Sequence, residues 1–322
     1  MPADLLPGAR RTSRLIVLGA LASSALLSRR APGSKAQQAV GLAALALGMP
    51  HGAADAELLR VAARGSRRRQ AGLATAYAAL ATASTVLVRR GGTRVERGVL
   101  LASAVHFGEG ELACWRRAPA GSARLRMGLR LLAAAVTTVG LPAAVGTANE
   151  RPPEVGAAGA LAQAAPRAAG ERSGMSLLRT PDSRRTVAPL VALAAGATGA
   201  LAVSGDLEAA GDCALLTALA LLAPPSTAFA AYFGGWHALR HTARVVDALV
   251  AEGQLPPQRS LPGAVGTLGR RSAWAAGIGL VAAGALAAAD PDAASDNAFA
   301  AVLGLTVPHM TTVALGLSRR GR

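Results

Sequence analysis

Charge in this chain comes in bursts, and between the bursts run long stretches with none. Arg10-Arg11-Thr12-Ser13-Arg14 and Arg29-Arg30 bracket the first apolar run, and Arg319-Arg320-Gly321-Arg322 follows the last. Hydrophobic residues make up 52% of the 322 residues and charged residues 16%. A backbone in hydrocarbon must satisfy its own polar groups, so such runs are expected to span as helices. The pattern predicts an all-α, polytopic membrane helix bundle. Alanine and glycine dominate the runs, and small residues let membrane helices approach closely.

The run Leu15 to Leu27 is short for a span and resembles the apolar region of a signal peptide, but the spans that follow favour a first helix. Then come Ala39 to about Leu59, Ala71 to Val88, Val99 to Trp115 and Met127 to Val145. Residues 147–186 mix proline, glycine, glutamate and arginine without periodicity and read as a polar loop between two halves of one domain covering 1–322. Val187 to Val203 and Ala214 to Trp236 follow, the latter broken by Pro224-Pro225. Ser226 would then cap a fresh helix to about Ala251. Ala273 to Ala289 and Ala298 to Leu317 bring the total to about eight or nine transmembrane helices.

The net charge of +16 does not mark a nucleic-acid binder, because the arginines punctuate apolar segments instead of forming one basic face. Loops Gly205–Asp212 and Asp290–Asn297 carry acid and no arginine, whereas Arg240–Arg271 and the tail are basic. The positive-inside rule then puts the chain in the cell membrane as a multi-pass protein with a cytoplasmic C-terminus. Cys114 and Cys213 lack the spacing of a thiolate metal site.

The chain has five histidines, and all lie in or beside apolar runs: His51, His106, His237, His241 and His309. Histidine inside a membrane is costly and marks function. His237 and His241 sit at i and i+4, on one helical face, a spacing that helical metal sites use. Neutral imidazole is the usual nitrogen ligand of iron, copper or zinc. His51, His106, His237 and His241 are the candidate ligands, while Asp55, Glu109 and Glu111 are placed to orient imidazole N–H groups. His309 follows Pro308 and is expected behind the ligands, or as a fifth ligand. Aromatics are only 3% of the chain, yet Phe107, Phe233 and Trp236 adjoin the histidines and are candidate substrate contacts. Nitrogen ligands without an obvious carboxylate among them suggest a mononuclear iron that activates dioxygen. A bis-histidine haem or electron-transfer protein, and a proton-relaying transporter, stay open as alternatives.

Four motifs, Pro50-His51-Gly52-Ala53-x-Asp55, His106-Phe107-Gly108, Trp236-His237-x-x-Arg240-His241 and Pro308-His309-Met310, together resemble the Brp/Blh-type β-carotene 15,15′-dioxygenases of bacteria and archaea. The resemblance runs from about Ala39 to Leu317. It implies a multi-pass membrane enzyme that cleaves β-carotene centrally with O2 to retinal, using Fe(2+) held by His51, His106, His237 and His241. The implied partners are a carotenoid drawn from the bilayer, O2 and membrane lipid, with a retinal-binding opsin as a downstream recipient. The family often has a further histidine where this chain has Ala56, and an aspartate where it has Glu111.

Overall fold

A bundle built from alanine and glycine has little side-chain volume to fill, so its helices must lie close. The computed structural model describes residues 4–27, 52, 54–115, 123–140, 183–289 and 304–314, and all regular structure among them is helical. The order is α1 (Leu6–Leu27), α2 (Asp55–Ala62), α3 (Arg67–Cys114) and α4 (Ala123–Ala135), which continues as a π-helical turn, Val136–Gly140. After these come α5 (Ser183–Val203), α6 (Leu207–Leu222) and the short α7 (Pro225–Phe229). A π-helical segment, Ala230–His237, leads into α8 (Ala238–Ala251), followed by α9 (Leu261–Ala289) and α10 (304–314).

Local chemistry sets the boundaries. Arg64 and Gly65 have φ of 52° and 76°, which turns the chain out of α2, and Ser66 caps α3 by accepting from the Arg69 N–H at 3.3 Å. Pro224-Pro225 separates α6 from α7 as anticipated, but Pro225 itself opens the new helix, ahead of Ser226. Proline suits a first helical position because its missing N–H would have no partner there. The run ends at Ala251, where the spacing puts it.

Two expectations are corrected. The spans Ala71 to Val88 and Val99 to Trp115 belong to one helix of 48 residues. Arg89, Arg90, Gly91 and Gly92 do not interrupt it, because arginine is a good helix former and glycine costs only about 1 kcal/mol, whereas no proline removes a backbone bond. The stretch Gly205–Asp212 is not an acidic loop. Gly205 turns the chain with φ 80°, α6 starts at Leu207, and Asp206, Glu208 and Asp212 are each paired with arginine: Arg130, Arg10 and Arg14 respectively. Residues 147–182, Asp290–Asn297 and the C-terminal tail lie outside the described residues, and α5 already begins at Ser183.

Among the described residues, one helical stretch, Arg67–Gly91, is long and apolar enough to cross a membrane. Met127–Val139 and Val187–Val203 are apolar but shorter. Leu15, Leu18, Leu87, Leu101, Val203, Leu207 and Leu222 all stand at least half exposed. The interior is centred on α8, whose Ala243, Val245, Val246 and Leu249 are wholly buried among Leu5, Ala9, Leu58, Leu268 and Val313.

Candidate metal centre

Three helices and a π-helical segment bring four imidazoles together. His106 comes from α3, His237 ends the π-helical segment, His241 lies in the first turn of α8, and His309 is on α10. All four are buried, between 3% and 9% exposed. Ring centroids are 5.2 Å apart for His106–His309, 6.3 Å for His106–His237, 5.7 Å for His237–His241 and 5.3 Å for His241–His309. One ligand nitrogen from each of His106, His237 and His309 lies within 4.8 Å of the other two. Two nitrogens bound to one ion stand at most about 4 Å apart, so a small inward shift would let all three share one. His51 lies outside the described residues.

His309 stands inside this cluster, and what holds it there is Asp55. Its Nδ1 is 2.9 Å and 3.0 Å from the two carboxylate oxygens of Asp55, which is 3% exposed at the start of α2. Nδ1–H donating to a carboxylate puts the ring's lone pair on Nε2, the arrangement that orients metal-binding histidines. The Tyr77 hydroxyl donates to Asp55 Oδ2 at 2.9 Å and fixes the carboxylate in turn. Tyr77 was not singled out in the sequence; the signal is a phenol in the middle of the alanine-rich run Ala71 to Ala83. At His106, Nε2 is buried without a hydrogen-bond partner. A buried polar atom in that state is costly, which suits a position that a cation would fill.

An aromatic wall flanks the imidazoles. Phe107 lies 4.4 Å from the His237 ring and 5.8 Å from Tyr232. Phe229, Phe233, His237 and His241 follow one another at intervals of four residues, with successive ring planes tilted by 7°, 21° and 24°. Phe229 is 38% exposed and His241 is buried, so this stack runs from the surface to the cluster.

The remaining candidates stand elsewhere. Glu109 is exposed. Glu111 faces a separate charged cluster: Oε1 accepts from the Trp236 indole N–H at 2.9 Å and Oε2 from Arg240 Nη1 at 2.8 Å. Trp236 is wholly buried, with the Arg240 guanidinium 3.7 Å above its ring centre. Its face is therefore covered by protein. Arg240 Nη1 also donates to Asp212 Oδ2 at 2.9 Å, and its Nε donates to Ser13 Oγ at 2.9 Å. Asp212 accepts further from Trp115 at 3.0 Å and from Arg14 at 2.7 Å. Sequence reasoning placed Arg240 in a motif but counted it among loop charges. The one local sign of its burial is the tryptophan four residues before it, at cation–π spacing.

Chemically, a buried set of imidazoles with convergent nitrogens, one carboxylate behind and aromatic rings beside it suits a metal ion facing an apolar substrate. No curated protein and no solved structure matches the chain. A family model does: the one described as β-carotene 15,15′-dioxygenase matches residues 42–315, a segment that contains all five histidines together with Asp55, Tyr77 and the aromatic wall. Most of the chain lies in that match: the chain belongs to the β-carotene 15,15′-dioxygenase family.

Proposed function

We propose that this protein is a membrane-embedded, non-haem iron dioxygenase that cleaves β-carotene at its central double bond with O2, giving two molecules of retinal. The observation that carries the reading is the convergence of His106, His237 and His309 within 4.8 Å in a chain of this family. These three residues would hold the metal, with His241 beside them and His51 as a further ligand that the family pattern implies. When bound, Fe(2+) supplies the means to activate dioxygen, which does not react with a polyene unaided.

The protein's own residues do the rest. Asp55 holds His309 in one tautomer, and Tyr77 keeps Asp55 from turning away. Phe107 and Phe233 offer ring faces to an extended polyene and exclude water from the imidazoles. Which double bond lies at the centre is fixed by where these rings stop the substrate, a matter of position more than of acid–base chemistry. A carotene partitions into lipid, so the exposed leucines around α1, α3 and α6 and the apolar stretch Arg67–Gly91 support a protein that takes its substrate sideways from the bilayer. Together with the repeated apolar runs of the sequence, this is our reason for proposing a multi-pass protein of the cell membrane.

The test is turnover of β-carotene by detergent-solubilised protein, with products separated by chromatography and iron measured in the same sample. Retinal as the sole apocarotenal, with iron in the preparation, is the expected result. A sharp Soret band without retinal would instead identify a haem protein.

A further inference from the structure

The family match begins at residue 42, so α1 lies outside it. Yet α1 touches the histidine-bearing segment through directed contacts. Ser13, 0% exposed, accepts the Nε–H of Arg240 and donates to the Arg10 carbonyl, both at 2.9 Å. Arg14 donates to the same Asp212 carboxylate that receives Arg240. Ile16 packs so tightly on the π-helical segment that a Cβ added at Gly235 would lie 2.5 Å from its Cγ2. Val17, wholly buried, completes this face against Tyr232 and Trp236. The opposite face of α1 is open, with Leu15 at 59% and Leu18 at 51% exposure.

We propose that α1 is a positioning element for the metal centre, its Ser13, Arg14 and Ile16 fixing the rotation and depth of the segment that carries His237 and His241. The inference rests on the metal reading given above. Its geometry is specific. Gly235 and Trp236 immediately precede His237, and Arg240 immediately precedes His241, so α1 grips the chain on the residues adjoining both imidazoles. A rigid helix cannot turn at Arg240 without moving both rings. The gripped segment is also π-helical, a form that is rare and frequent at functional sites. The charges balance as well: Arg14 and Arg240 face Glu111 and Asp212, which makes the grip orientation-dependent at little net charge.

The experiment is a Co(II) titration of the full-length protein in detergent, followed by the visible cobalt band, with the thermal midpoint measured alongside. Ser13→Ala removes one acceptor and almost no volume, and should weaken cobalt binding about ten-fold, as loss of an outer-sphere partner does. Gly235→Ala drives a methyl into Ile16 and should weaken it by about ten- to a hundred-fold. Ile16→Ala added to Gly235→Ala removes the obstruction and should restore affinity to within about three-fold of the parent, the coupling expected of residues in contact. Leu18→Ala, on the open face, should leave the titration unchanged. If Gly235→Ala fails to fold, Ser13→Ala and the double variant still report. Parental cobalt affinity in both Ser13→Ala and Gly235→Ala, or a double variant no better than Gly235→Ala, would overturn the role of α1. A parent protein with no cobalt band would overturn the metal reading itself, and this inference with it.

Discussion

Two buried polar clusters share the run from Trp236 to His241, and they are built on opposite plans. Around Arg240, each charge meets its opposite: the guanidinium engages Glu111, Asp212 and Ser13 while resting on Trp236. Around His237, imidazoles face imidazoles, with Asp55 as the single carboxylate bonded to one of them among the described residues. The first cluster pairs arginine with carboxylate across α1, α3, α6 and α8, and its work is to hold helices in register. The second brings a ring nitrogen from each of His106, His237 and His309 within 4.8 Å of the others, a geometry that makes sense for a ligand site. Adjacent residues thus divide the labour, one set fixing the backbone and the other presenting nitrogen.

That division can be broken from either side. His237→Ala should abolish metal binding and retinal formation while leaving the thermal midpoint of the metal-free protein close to that of the parent. Metal analysis beside a melting curve checks it. Arg240→Ala should do the reverse in order of severity, destabilising the fold first. It leaves Glu111 and Asp212 buried with less compensation, a loss on the order of 3–5 kcal/mol, read by chemical denaturation. Should Arg240→Ala lose metal with unchanged stability, the two clusters are one unit and the distinction fails.

Smaller effects sharpen the boundary. Asp55→Ala should leave the fold in place but lower cobalt affinity by about ten- to a hundred-fold, because His309 loses the group that fixes its tautomer. Tyr77→Phe removes one hydrogen bond, worth roughly 1 kcal/mol, from the far side of that carboxylate. About a five-fold loss of cobalt affinity is expected, measured by the same titration.

Much of this arrangement was legible in the sequence. Five histidines confined to apolar contexts, two of them a helical turn apart, pointed to a cluster of imidazoles, and Pro224-Pro225 with Ala251 framed the segment that carries the pair. The π-helical path of Ala230–His237 was not legible, and neither was the close packing of Gly235 on Ile16, which lies on a helix far away in sequence. Arg89 to Arg97 read as a loop because charge and glycine usually interrupt membrane spans, yet helix propensity carried α3 through. The charge contrast used for orientation misjudged Asp212 and Arg240. Each looks like a surface charge in its own neighbourhood, and their pairing across 28 residues is a tertiary fact. His309 was expected behind the ligands or as a fifth ligand, and only the fold reveals its bond to Asp55 and its place beside His106 and His241.

The most direct test of the central claim is the iron content of the purified protein and of five single variants, each histidine replaced by alanine. The account predicts iron stoichiometric with the chain in the parent, and its loss in His106→Ala, His237→Ala and His309→Ala. Iron retained in full when His106 and His237 are each removed would contradict it.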